Sequence, residues 1–270
     1  MTTILVTGGT GTLGSLVTAR LRAAGHEVRV LSRHAQPYAV DLREGTGLDA
    51  AMGGVEVVVH CASTPRGGDD RAAGHLIDAA RQAGVAHLVY ISIVGVDRLP
   101  LGYYTTKRKV ERMIEESGLG WTVLRTTQFH DLVLGLLRTS AKLPVMLVPA
   151  GVSVQPIDTA EVADRLAELA AGPPAGRVPD LGGPEIRPLP DLARAYLHAT
   201  GRSRPVLPVR LAGKAYAGYR RGLHLTPDRA LGKTTFEDFL STHAPAARNR
   251  RRPKAGRRAE GAHLPGKPPQ

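Results

Sequence analysis

Cysteine is nearly missing from this chain. Cys61 is the only one in 270 residues, which excludes an internal disulfide framework and suits a reducing compartment. Aromatic residues make up only 4%, so a packed core has to be assembled from Val, Leu, Ile and Ala. No apolar run approaches the roughly 20 residues that span a bilayer. No basic segment followed by a long apolar one opens the chain, so neither a membrane span nor a signal peptide is expected. These absences together read as a soluble, cytoplasmic protein. Acid is short as well: 24 Asp and Glu face 36 Lys and Arg, for a net charge of +12. Ala244 to Gln270 alone holds eight Lys or Arg and one Glu, which is +7 and leaves +5 for the rest. Within it, Arg248-Asn249-Arg250-Arg251-Arg252-Pro253-Lys254 has no apolar residue to bury, so 244–270 reads as a basic disordered tail. It reads first as a solvated extension, capable at most of nonspecific contact with nucleic acid or an anionic surface.

What the chain does have is glycine at a revealing spacing. Ile4-Leu5-Val6-Thr7 is an apolar strand, Gly8, Gly11 and Gly14 follow it, and a helical segment from Leu16 to Ala24 leaves the turn. Glycine reaches backbone angles closed to other residues and lets an anion approach the main chain. The N-terminus of the next helix offers free N–H groups and a partial positive charge. The pattern therefore points to a phosphate or pyrophosphate site, in the strand–turn–helix context that this fingerprint requires.

Strands and helices then alternate. Expected strands are His26–Leu31, Tyr38–Val40, Val55–His60, His87–Ile91 and Trp121–Leu124; expected helices are Leu48–Met52, Arg71–Ala83 (capped by Asp70) and Tyr103–Ser117. Such alternation predicts an α/β fold with a doubly wound parallel sheet and right-handed crossovers. Beyond about residue 130 the pattern loosens. Helices are expected over 131–140, 160–171 (capped by Thr159), 190–199, 211–221 and 234–243, strands over 145–148 and 152–157, and an extended segment over 201–210. This half reads as substrate-side elements of one Rossmann-type unit covering 1–243.

The second strand ends Ser32-Arg33-His34, with no acid to accept from ribose hydroxyls. Arg33 lies 19 residues past Gly14. An arginine there suits a 2′-phosphate, which it can grip with two parallel hydrogen bonds, so NADP(H) is expected in preference to NAD(H). Ser92 closes the fifth strand. Tyr103 and Lys107 are four apart and share a helix face. A free tyrosine has a pKa of about 10, and a nearby ammonium is expected to bring it down, which would let Tyr103 pass a proton while Ser92 holds the same substrate oxygen. The plainer reading is that Tyr103 packs and Lys107 is solvated. Tyr104 and His130 are further candidates for the proton transfer.

With these residues in view the chain resembles a short-chain dehydrogenase/reductase of the atypical, NmrA-like branch, the NAD(P)H-binding group, from Thr3 to about Leu240. The resemblance rests on Thr7-Gly8-Gly9-Thr10-Gly11-Thr12-Leu13-Gly14, on Val40-Asp41-Leu42, on Leu88-Val89-Tyr90-Ile91-Ser92 with Gly95, and on Glu111 through Leu119 followed by Trp121-Thr122-Val123-Leu124-Arg125. It implies that Gly8, Gly11 and Gly14 hold the pyrophosphate, with Thr10, Thr12 and Leu13 in the turn. Arg33 and Ser32 would meet the 2′-phosphate, Asp41 and Leu42 the adenine, and Cys61, Ala62 and Ser63 the ribose. Lys107 would bind the nicotinamide ribose, and Thr127, Gln128, Phe129 and His130 would lie near the nicotinamide and the small-molecule substrate. No metal is expected. The implied activity is hydride transfer to a small carbonyl, quinone or activated double bond. A nucleotide-sensing regulator and, less closely, a sugar-nucleotide epimerase are the alternatives.

Overall fold

The computed structural model describes residues 1–64 and 67–244; the basic tail beyond Ala244 lies outside the described residues. The first half runs β1 (Thr3–Thr7), α1 (Thr12–Ala23), β2 (Glu27–Leu31), α2 (Leu48–Met52), β3 (Val57–His60), α3 (Asp69–Gln82), β4 (His87–Ile93), α4 (Gly102–Glu115) and β5 (Gly120–Thr126). The second half runs α5 (His130–Ser140), β6 (Met146–Pro149), β7 (Ser153–Val154), α6 (Thr159–Ala171), β8 (Gly176–Arg177), β9 (Arg187–Pro188), α7 (Leu189–Ala199), β10 (Val206–Val209), α8 (Lys214–Arg220) and α9 (Phe236–His243). No helix among the described residues is long and apolar enough to cross a membrane.

The main sheet has six strands in the order β2-β1-β3-β4-β5-β8, and every pairing in it is parallel. Val6 sits between Val30 and Val59, and Val59 pairs Val89. Alternate residues of each strand face opposite sides, and the apolar side chains divide accordingly. Leu5, Val58, Leu88, Tyr90 and Val123 pack against Leu76, Ile77, Val110 and Ile114 of α3 and α4. Ile4, Val6, Val57, Val59, Val89, Ile91 and Leu124 pack against Val17 and Leu21 of α1 and Val162 and Leu166 of α6. Covering both faces explains why the central strands carry so few polar residues. Each fully buried Val, Leu or Ile contributes about 1.5–3 kcal/mol. Helices α1 and α6 are also joined by Arg20 to Asp164 at 2.8 Å.

Two expectations about the sheet fail. Tyr38–Val40 forms only one bridge, Ser32 to Ala39, and adds no strand; Pro37 beside it cannot donate to a ladder. The sixth strand is instead β8, from the proline-rich connection, which extends the sheet beside Thr122 and Val123. Two caps also shift. Asp158 rather than Thr159 caps α6, accepting from Ala160 N at 2.6 Å. Helix α3 begins two residues earlier than expected, at Asp69 with Gly68 as its N-cap, and Asp70 pairs with Lys109 of α4 at 2.7 Å.

The rest of the second half packs over the C-terminal strand ends. Val133, Leu134 and Leu137 of α5, Leu192 and Tyr196 of α7, and Phe236 and Phe239 of α9 form its own core. Two small ladders stitch it together, β6 with β10 in parallel and β7 with β9 antiparallel.

Candidate active site

The glycine turn is shaped by contacts between backbones. Gly8 has φ +65°, and a Cβ there would lie 2.8 Å from the Ala62 backbone. A Cβ on Gly14 would come within 2.2 Å of the Gly8 carbonyl oxygen. These two positions exclude any side chain on steric grounds. Gly11 differs: a Cβ would meet only the Gly8 oxygen, at 3.2 Å, so packing within the chain barely asks for glycine there. Gly11 is also the N-cap of α1 and has no side chain to cap it, leaving first-turn N–H groups for an outside acceptor.

A cavity of about 970 Å³ opens from this turn. Gly8, Gly11, Thr12, Leu13 and Gly14 form one end, and Cys61 and Ser63 follow at the end of β3. Ser92, Tyr103, Tyr104, Lys107 and Gln128 give it a polar middle. The far end is apolar, with Phe129, Leu132, Val133 and Leu136 from α5 and its entry facing Leu211, Ala215, Tyr216 and Tyr219 from α8 and the loop before it. Leu132, Leu136 and Leu211 are each more than half exposed, so this end is an open apolar mouth. Among the described lining residues Lys107 is the only charged side chain.

Lys107 is 3% exposed. Its Nζ donates to the Ile91 carbonyl at 3.1 Å and lies 4.6 Å from the Tyr90 ring centre. Burial pulls its pKa down to about 8, against the opposing influence of Asp69, Cys61 and Glu111. A buried ammonium with a carbonyl and a ring face but no direct carboxylate partner retains donors for a ligand. Two of its neighbours are held neutral: burial, aided by Lys107, holds the His60 imidazole down at about 3, and burial pushes the Cys61 thiol up to about 12. Cys61 is therefore no thiolate nucleophile.

The expected effect of Lys107 on Tyr103 is not found. Burial raises the Tyr103 pKa, Asp69 adds to the rise, and only a hydrogen bond with Ser63 opposes it. The Tyr103 hydroxyl lies 2.7 Å from Ser63 Oγ, which donates to Asp69 Oδ2 at 2.5 Å. Asp69 Oδ1 accepts from Thr64 N at 2.9 Å. Ser92 is 1% exposed, and its Oγ has no hydrogen-bond partner although it borders the cavity. A buried, unpaired hydroxyl costs about 1–3 kcal/mol, and a ligand atom in the cavity would satisfy it.

Beneath this polar middle, Arg125 of β5 grips Glu111 of α4 with two bonds, Nε to Oε1 at 2.8 Å and Nη2 to Oε2 at 2.6 Å, and reaches Asp97 at 2.9 Å. Arg108 adds a 3.0 Å contact to Glu111. Burial opposes the Arg125 charge, but the two carboxylates more than offset it and raise its pKa. The network fixes α4, and so Lys107, against β5.

Other expected site residues sit elsewhere. Ser32, Arg33, Asp41, Leu42, Ala62 and Thr10 lie outside the cavity walls. Arg33 is exposed at the end of β2. Asp41 is held by Arg43, whose guanidinium bonds both its oxygens and lowers its pKa to about 2. The Leu42 side chain is buried in the core with Leu48, Met52 and Leu76. His130 is a correction. It is fully buried, donates from Nε2 to the Thr234 carbonyl (3.0 Å), and packs on Phe236 and Phe239. Its ring is tied to α9, away from the cavity, because its residue opens α5 on the face that covers that helix. Three residues that sequence reasoning passed over contribute beside the expected Gln128: Asp69, Tyr216 and Tyr219. Of these only Asp69, just after Gly67-Gly68 and at the start of a helix, carries a local signal.

Residues 8–173 match a family model described as NAD(P)H-binding. The chain belongs to this NAD(P)H-binding family. Within it, the chain is 33% identical over 201 residues to the (4-alkanoyl-5-oxo-2,5-dihydrofuran-3-yl)methyl phosphate reductase of Streptomyces griseus, covering 67% of this chain and 68% of that one. It is 28% identical over 218 residues to quinone oxidoreductase 2 of Escherichia coli, covering 74% and 75%. The fold matches that of an NADPH-dependent quinone oxidoreductase from Escherichia coli solved with NADPH, with a TM-score of 0.74, 23% identity, and coverage of 88% and 98%. The family member described here is an oxidoreductase of the atypical short-chain dehydrogenase/reductase type, and it binds NAD(P)H.

Proposed function

We propose that this enzyme reduces a small, uncharged, largely apolar acceptor, with a quinone as the type, and uses NADPH in preference to NADH. The observation that carries the reading is the cavity itself: among the described residues it has a glycine turn at one end, a single buried ammonium in the middle, and an apolar mouth with no charged side chain at the other. A dinucleotide fits the residues present. Gly11 leaves room that the chain's own packing does not need, α1 is uncapped, and the Ser92 hydroxyl lacks a partner. When bound, the nicotinamide supplies the hydride.

Each residue then has a task. Gly8, Gly11 and Gly14, with Thr10, Thr12 and Leu13, hold the pyrophosphate through the main chain. Arg33, with Ser32, holds the 2′-phosphate. Asp41 and Leu42 border the adenine, and Cys61, Ala62 and Ser63 the ribose. Lys107 donates to the nicotinamide ribose. Ser92 donates to an oxygen beside it, and Tyr103 flanks the same space. Phe129, Leu132 and Leu136 exclude water from the acceptor, which strengthens every polar contact inside. The elements beyond about residue 130 thus complete one site with the Rossmann-type half.

NADPH oxidation across a panel of quinones and aldehydes tests the proposal. Quinone-dependent oxidation that falls at least about 100-fold in Lys107→Ala supports it. Tight NADPH binding without turnover of any acceptor would instead favour the sensing alternative.

A further inference from the structure

The wiring of three tyrosines distinguishes which hydroxyl has a proton to give. Ser63 has one hydroxyl proton, and it goes to Asp69 at 2.5 Å. The 2.7 Å contact between Ser63 and Tyr103 must then be donated by Tyr103. The Tyr103 proton is turned toward Ser63 and the start of α3. Its neighbour is wired the other way. Tyr104 accepts from the Tyr219 hydroxyl at 3.3 Å, so its own proton is not spent on that bond. Tyr104 is 5% exposed yet lines the cavity, together with Tyr219 and Gln128. The Gln128 side chain approaches Tyr104 and acts to lower its pKa, while neither its Oε1 nor its Nε2 reaches full hydrogen-bond geometry with any described residue. Two neighbouring donors with uncommitted protons, Tyr104 Oη and Gln128 Nε2, thus border the apolar mouth.

We propose that Tyr104, held by Tyr219, is the proton donor to the acceptor's oxygen, and that Gln128 is a second donor to the same oxygen. The inference rests on the reductase reading above. As the acceptor takes up hydride from the nicotinamide, its carbonyl pair moves onto oxygen. The Tyr104 O–H bond breaks and its proton passes to that oxygen, giving a hydroquinone or alcohol. The phenolate left on Tyr104 is held by the Tyr219 O–H and regains a proton from water. Burial raises the Tyr104 pKa, so the hydroxyl carries its proton at neutral pH when the acceptor binds. Tyr104 is then a catalytic residue and Tyr219 a positioning residue.

The test compares Tyr103→Phe, Tyr104→Phe and Tyr219→Phe in the full chain, with NADPH and 1,4-naphthoquinone. Losing a general acid costs about 100-fold or more. Tyr104→Phe is expected to lower kcat by about that factor with KM within about threefold. Tyr219→Phe should lower kcat by about 3- to 10-fold at unchanged KM, and Tyr103→Phe by less than Tyr104→Phe. A second readout needs no turnover. By calorimetry, Tyr104→Phe should weaken 2-naphthol about 3- to 10-fold, the worth of one neutral hydrogen bond, and leave naphthalene unchanged. A Tyr104→Phe enzyme within threefold of wild type, or a Tyr103→Phe loss as deep, overturns the proposal. If the wild type reduces no quinone, the reductase reading fails, while the 2-naphthol contrast still decides for or against Tyr104. If Tyr104→Phe does not fold, an unchanged kcat in Tyr219→Phe overturns the wiring.

Discussion

At the nucleotide end of the cavity the walls are backbone; at the acceptor end they are side chains. Gly8 and Gly14 are fixed because a Cβ would strike main-chain atoms that cannot give way. Leu132, Leu136 and Leu211 at the other end are held by nothing comparable and stand more than half exposed. The first end accepts one shape, whereas the second only requires apolar surface. A shared cofactor with a variable acceptor is what such a division suits.

The buried ion network marks the seam between the two ends, and it offers the largest break. Arg125→Met leaves Glu111, which is fully buried, facing only Arg108. Breaking such a pair from one side costs about 3–5 kcal/mol, and a thermal melt should show a drop of roughly 6–20 °C for a chain of this size. A drop under 2 °C would mean that α4 is held by packing alone.

The glycines sharpen the comparison within one loop. Gly14→Ala should destabilise by about 1–3 kcal/mol or more, as a backbone clash does. Gly11→Ala should keep the melting temperature within about 2 °C and yet weaken NADPH by about tenfold or more, because its space serves the ligand rather than the fold. Fluorescence titration of NADPH beside thermal melts checks both; equal melting losses would erase the distinction. Arg33→Ala should weaken NADPH about tenfold or more and NADH by less than about twofold, since a charged hydrogen-bonded pair contributes about 1.5–3 kcal/mol. Equal losses would remove the 2′-phosphate role. The smallest effect belongs to the side-chain end: Leu136→Ala should raise the KM for a quinone about two- to fivefold with kcat and stability unchanged. A large fall in kcat there would mean that this wall positions the acceptor and does more than shelter it.

The same division explains which features were legible in the sequence. The strand–glycine–helix unit and the Tyr103/Lys107 pair are local patterns, in which spacing along the chain is spacing in space, and the structure brings them to one cavity. Tyr219 reaches Tyr104 across 115 residues, and no local pattern announces that. Tyr38–Val40 has strand-forming residues but gains only a bridge, while Gly176–Arg177 looks like loop and joins the main sheet, because tertiary placement overrides weak propensity. His130 carries the chemistry of a site residue, yet its ring is taken by Phe236, Phe239 and the Thr234 carbonyl, partners more than 100 positions away.

In the proposed function one cavity joins NADPH to an uncharged apolar acceptor through a buried lysine. Steady-state oxidation of NADPH by 1,4-naphthoquinone, measured for the wild type and for Lys107→Ala, tests it most directly. Saturable turnover is expected in the wild type, and a loss of about 100-fold or more in the variant, with its melting temperature retained. Absence of quinone-dependent oxidation in the wild type, or equal rates in the two proteins, would contradict it.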